Sequence, residues 1–158
     1  MHDTRGRFRF AAAAVVAVAL LAGMLASVAG ATGARSAADA KVMVRKTALG
    51  VVLVDSRGHS LYLFQKDRGG KSACYGGCAA FWPPLLTSGK PVAGSGVKAV
   101  LLGTVKRSDG KLQVTYAGHP LYGFALDRKA GQTNGEGSND FGAKWYVLAP
   151  SGKKIDND

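Results

Sequence analysis

Three pairs of side chains in this sequence have types and spacings that could do chemistry. Asp67 and Asp127 are one pair, His59 and His119 a second, and Cys74 and Cys78 a third. Two carboxylates side by side can exchange a proton or hold a cation. Two imidazoles joined by a carboxylate can ligate a transition metal. Each aspartate, however, follows a strand-like run by three residues and opens a Gly-containing loop. That is also the setting of an Asx-type turn, in which the carboxylate accepts backbone N–H groups. We read both aspartates as turn residues, with the paired-carboxylate site as the alternative. His59 and His119 each stand at a turn, and no spacing brings them together. We read them as exposed turn residues, with metal ligation by the two as the alternative; no cofactor is expected.

Cys74 and Cys78 are the only cysteines. Three residues separate them, where a thioredoxin-type site needs two. Ala79 follows the second, where a c-type haem site needs His. Gly76 and Gly77 lie between them, giving a short loop the freedom a bridge requires. Outside the cytosol the simplest reading is a disulfide. Tyr62, Phe64, Tyr122 and Phe124 alternate along two runs, so each pair points to one face of its strand, with Leu61 and Leu63 on the other. Apolar groups on both faces predict a strand covered on both sides. We read the four aromatics as core, and an aromatic-lined cleft is the alternative.

The elements that must position these residues are repeated. Gly58 to Asp67 matches Gly118 to Asp127 at six of ten positions. Trp82-x-x-Leu85-x-x-Ser88-Gly89 matches Trp145-x-x-Leu148-x-x-Ser151-Gly152 in the same order, at offsets of 60 and 63 residues. Val42 to Arg45 and Gly50 to Asp55 are Val-rich strand candidates, and Ser56-Arg57-Gly58 turns the second into a strand from Ser60 to Gln65. In the second copy Leu102 to Lys106 runs into Asp109-Gly110, a strong hairpin signal. Lys111 to Tyr116 then alternates, with Leu112, Val114 and Tyr116 on one face and Lys111, Gln113 and Thr115 on the other. Further strands are predicted at Leu121 to Phe124 and Lys144 to Leu148. The one helical turn expected, Cys78 to Phe81, is stopped by Pro83 and Pro84. The fold class is therefore all-β: two pseudo-repeated antiparallel units sharing one core, with one short helical turn near the cysteines. Repeat 1 spans about 48–98 and repeat 2 about 99–152. Residues 32–47 form a linker and first strand, and 153–158 a tail.

The motif Tyr62-Leu63-Phe64-Gln65-Lys66-Asp67 and its second copy, Tyr122-Gly123-Phe124-Ala125-Leu126-Asp127, resemble the bacterial secreted-repeat family marked by Y-x-[FWY]-x-x-D, also described as predicted lipoproteins. Ser72-x-Cys74-x-x-x-Cys78, Trp82-Pro83-Pro84-Leu85 and Trp145-Tyr146 extend the resemblance over about Leu49 to Gly152. The resemblance implies the architecture and leaves the activity open, and this chain lacks the lipoprotein cysteine.

The N-terminus supplies the address. Arg5, Arg7 and Arg9 precede an unbroken Ala/Val/Leu run from Ala11 to Ala22 and small residues to Ala31. This is the plan of a secretory signal. Residues 1–31 read as the signal peptide, cut after Ala29-Gly30-Ala31, with Ala38-Asp39-Ala40 as second choice. Phe10 to Val28, uncharged throughout, is long enough to act instead as an uncleaved membrane anchor. The net charge of +11 is scattered, without a Lys/Arg run or an RNA-binding aromatic signature, so no nucleic-acid partner is expected. Neither Gly-x-Ser-x-Gly nor His-Glu-x-x-His occurs. The expected function is that of an exported, extracytoplasmic, non-enzymatic β-module binding an envelope component or partner protein. A metal- or redox-cofactor-binding envelope protein is the alternative.

Overall fold

The structure is a computed structural model, and it describes residues 38–156. The proposed signal peptide and anchor lie outside them. Among the described residues no helix is long and apolar enough to cross a membrane. The fold is mostly β, with one short helix, α1 (Gly77–Phe81), at the cysteine pair.

The Val-rich runs pair as their β-branched side chains favour. β1 (Lys41–Thr47) and β2 (Gly50–Asp55) form an antiparallel hairpin in register from Val42↔Asp55 to Thr47↔Gly50. β1 is the strand expected within residues 32–47, and it pairs with β2 along its length. Asp55 ends β2 by accepting the N–H groups of Arg57 (2.8 Å) and His59 (3.0 Å). Gly58 takes the positive φ of 86° that this turn needs. β3 (Tyr62–Phe64) follows, then β4 (Leu86–Thr87) and β5 (Val92–Ala93), the latter parallel to β1. The second copy repeats the opening with β6 (Leu102–Lys106), β7 (Leu112–Tyr116) and the short β8 (His119–Pro120), and it closes with β9 (Trp145–Val147).

Two expectations need correction. The hairpin at Ser56–Gly58 forms, but only through a bridge at Val54↔Ser60, after which β3 leaves to pair with β9 of the other copy. The strand expected at Leu121 to Phe124 is reduced to bridges at Tyr122, because it lies between Tyr62 and the proline-containing segment at Pro84. Pro84 has no N–H to extend a ladder.

The two copies exchange segments. β3 pairs with β9 at Tyr62↔Val147, Leu63↔Tyr146 and Phe64↔Trp145. Reciprocally, the Trp82 segment of the first copy runs along 121–125 of the second. Leu85 N–H bonds Leu121 O (2.9 Å), Gly123 N–H bonds Pro83 O (2.8 Å) and Ala125 N–H bonds Phe81 O (2.8 Å). Where the copies meet, Tyr62 and Tyr122 exchange backbone bonds in both directions, at 2.8 and 3.0 Å. Among the described residues the β2-β1-β5 sheet lies within the first copy, whereas the β3-β9 and β4-β7-β6 sheets each join strands of both.

The core is correspondingly divided. On one face of β3 lie Tyr62, Phe64, Tyr122, Trp82, Trp145, Val52, Val54 and the two cysteines. On the other lie Leu61, Leu63, Leu121, Tyr146, Leu148, Val42, Leu53, Val114 and Tyr116. Each cluster draws on both copies, so each is a core the two copies share. The Trp82 and Trp145 rings stack at 3.9 Å with 6° between planes, and Phe64 stacks on Trp145 at 4.0 Å. On the polar face of the run from Lys111 to Tyr116 only Lys111 is exposed. Gln113 is fully buried and Thr115 nearly so. Gln113 Nε2 donates to Leu121 O (2.8 Å) and its Oε1 accepts from Arg107 (2.7 Å), which satisfies the buried amide.

Candidate functional site

The repeat motif builds two crossed clasps. The Tyr62 hydroxyl of the first copy donates to Asp127 Oδ2 of the second (2.6 Å). The Tyr122 hydroxyl of the second donates to Asp67 Oδ2 of the first (2.9 Å). The other oxygen of each aspartate accepts a backbone N–H from the loop it opens: Ala73 to Asp67 Oδ1 (2.8 Å) and Asn134 to Asp127 Oδ1 (2.9 Å). Each aspartate therefore orders its own loop with one oxygen and holds the other copy with the second. The phenols are tied further. Gly135 N–H reaches the Tyr62 hydroxyl (3.3 Å), and Tyr122 shares a hydrogen bond with Ser72 Oγ (2.8 Å).

These groups are strongly perturbed. Burial pushes Asp67 up to about 6, against the hydrogen bonds from Ala73 and Tyr122 and the charge of Arg107, which pull it down. Burial raises Asp127 in the same sense. Tyr62 and Tyr122 are raised first by burial and then by the carboxylates they face, so both remain proton donors. Tyr62, Phe64 and Tyr122 are buried, whereas Phe124 is half-buried, stacked on Trp82 at 4.2 Å.

The histidines stand in separate clefts, each with the aspartate of the other copy. His59 and Asp127 line one of ≈ 260 Å³, together with Asp55, Arg57, Pro84 and Phe124. His119 and Asp67 line one of ≈ 770 Å³, with Arg68, Lys153 and Lys154. His59 Nδ1 lies 3.8 Å from Asp55 Oδ2. Burial lowers His119. Among the described residues no group of three or more His, Cys, Asp or Glu is placed to hold a metal ion. The clefts follow the same crossed pattern as the clasps.

Cys74 and Cys78 form the disulfide, with their Cα atoms 5.3 Å apart. Arg107 anchors this loop, and the sequence did not single it out. It follows β6 and is almost wholly buried. Its Nη1 donates to Ser72 Oγ (2.8 Å) as well as Gln113, its Nη2 to Cys74 O (2.9 Å), and its Nε to Asp109 (3.2 Å). Its guanidinium lies 4.3 Å from the Tyr75 ring centroid. No spacing distinguishes Arg107 from Lys106 beside it; the Ser72 it grips was legible only as a neighbour of the cysteines.

A family model, Lipoprotein_15, described as a secreted repeat of unknown function, matches residues 43–86 and 103–149. The first match runs from β1 through the Trp82 segment, and the second from β6 through the Trp145 segment. These are the two units that exchange those segments. No curated protein and no solved structure matches the chain.

Proposed function

The chain belongs to this family of secreted repeats, and from that premise we propose that it is a non-enzymatic binding module of the cell envelope, exported and held outside the cytosol. The disulfide accords with an extracytoplasmic compartment. The observation that carries the proposal is the fate of the motif. Its phenols and carboxylates, the groups with the most perturbed acidity, are bonded to one another and to the loops they order. They act as structure, and recognition falls to the surfaces and clefts they shape. Ala40 supports cutting after Ala31 rather than Ala40: its N–H bonds Thr87 Oγ1 (3.1 Å) and its carbonyl accepts Val92 N–H (2.8 Å). A cut after Ala40 would remove Asp39 and leave a charged amine at the edge of β1. The ligand is an envelope component or a partner protein.

The test is cosedimentation of the mature exported protein with washed envelope fragments. Saturable recovery in the pellet, with intact mass showing loss of residues 1–31, is expected. Protein that stays in the supernatant at all fragment concentrations contradicts the proposal.

A further inference from the structure

Beside the disulfide loop lies a notch of ≈ 390 Å³ lined by Lys71, Ser72, Tyr75, Lys106, Arg107 and Ser108. Three of these side chains are cations, three carry hydroxyls, and no carboxylate is among them. Lys71 and Lys106 are exposed. Among the described residues neither ammonium makes a hydrogen bond or ion pair. Arg107 is the fixed element, its guanidinium held by Ser72, Gln113, Cys74 O and Asp109. Two carboxylates lie outside the lining. Asp109 pairs with Arg107 Nε, and Asp67 feels its charge. The Tyr75 hydroxyl accepts Ser108 N–H (3.1 Å). Desolvation would raise this phenol, but hydrogen bonds from Ser108 and the charge of Arg107 outweigh it and hold the group below its ordinary range.

Two unpaired ammoniums and the hydroxyls of Tyr75 and Ser108, set over the buried positive charge of Arg107, whose side chain is only 1% exposed, suit a multiply charged oxyanion. The lysines supply adaptable charge-assisted contacts, and Arg107, itself held within the protein, adds fixed positive charge behind them. We propose that this notch binds a phosphate group. The proposal rests on the envelope-binding reading and narrows the chemistry of its ligand. The phosphate could be free, part of a phosphodiester polymer, or a lipid headgroup, and all three present the same oxygens.

The experiment is amide NMR of the mature exported protein titrated with inorganic phosphate, against chloride at matched ionic strength. Saturable shifts at Ser72, Tyr75 and Ser108 with phosphate alone are expected. Replacing both rim lysines (Lys71→Gln with Lys106→Gln) should weaken binding about tenfold or more, as loss of charge-assisted contacts implies. The charge-matched control, Lys46→Gln with Lys129→Gln, should keep the wild-type affinity. Equal shifts with chloride, or equal weakening in the control, would reduce the effect to diffuse charge and overturn the proposal. Poly(glycerol phosphate) and phosphatidylglycerol vesicles, the latter against phosphatidylcholine, then identify the carrier. Competition by either names that carrier, and competition by neither leaves free phosphate as the ligand. Envelope binding without a phosphate response sinks this site and spares the broader reading. A phosphate response without envelope binding does the reverse.

Discussion

After Asp67 the chain turns through Cys74 and Cys78 and is closed by a covalent bridge; after Asp127 the equivalent loop turns through Gly131, Asn134 and Gly135 and has none. The first loop is also gripped by Arg107 from the second copy. The second is held by hydrogen bonds and close packing. Gly137 N–H bonds Trp145 O (2.9 Å), Trp145 N–H bonds Ser138 O (2.9 Å), and Val147 N–H bonds Glu136 Oε2 (2.7 Å). The tryptophans differ likewise. Trp145 Nε1 donates to Asp140 O (3.0 Å), whereas buried Trp82 Nε1 has no hydrogen-bond partner among the described residues. The shared part is the start of each loop, where an aspartate orders it and accepts the other copy's tyrosine. Once its start is pinned by the clasp, the rest of each loop can be closed by different chemistry.

The largest contrast should lie between the two motif phenylalanines. Phe64 is fully enclosed against Trp145, so Phe64→Ala should cost about 3–5 kcal/mol in urea unfolding. Phe124 is half-buried, so Phe124→Ala should cost roughly half as much. Equal losses would show that the copies bury their motifs alike and erase the contrast.

Glycines in the two loops should respond differently. A Cβ on Gly135 would stand 2.5 Å from Trp82 Cη2, while one on Gly77 would meet nothing within 4 Å. Gly135→Ala should destabilise by about 1–3 kcal/mol through overpacking, and Gly77→Ala by no more than about 0.5 kcal/mol. A mild Gly135→Ala variant in thermal melts would mean the second loop yields, contrary to close packing. Removing the bridge with Cys74→Ala and Cys78→Ala should cost about 2 kcal/mol without abolishing folding, since so short a loop restrains little chain entropy. Complete unfolding of that variant would give the bridge a larger share than the clasp.

A smaller effect than the loss of the bridge concerns pH. The folded-state value of Asp67, about 6, lies above its unfolded value, so the folded protein binds the extra proton. Its contribution is fully present below the unfolded value of 3.8 and is lost as pH rises through about 6. Allowing for solvent screening of a partly exposed group, the loss is about 1 kcal/mol. Asp67→Asn, which resembles the neutral acid, should flatten this slope. His119, lowered by burial, acts with the opposite sign and should be silenced as His119→Gln in the same series. An unchanged slope in Asp67→Asn would remove Asp67 as its source.

The strands β1, β2, β6 and β7 were legible because β-branched residues and Gly-marked turns carry local signals. The helix end at Pro83 was legible for the same reason. Which strand pairs with which was not. Leu61 to Phe64 is apolar on both faces, and such a strand accepts either its own copy's Trp segment or the other's. The aspartates were read as loop-ordering residues from spacing alone, but their second oxygens reach across the copies, and no local pattern encodes that. Gln113 and Arg107 were hidden by a different cause. A polar residue in an alternating strand reads as solvent-facing unless its buried partners are known.

The central claim is that the motif acts between copies, and a double-mutant cycle tests it most directly. Tyr62→Phe with Asp127→Asn, and Tyr122→Phe with Asp67→Asn, are the crossed pairs. Tyr62→Phe with Asp67→Asn, and Tyr122→Phe with Asp127→Asn, are the pairs within one copy. Equilibrium unfolding should give coupling of about 1–3 kcal/mol in each crossed pair and below about 0.5 kcal/mol within a copy. Coupling confined to the pairs within a copy, or absent from all four, would contradict the crossed clasp.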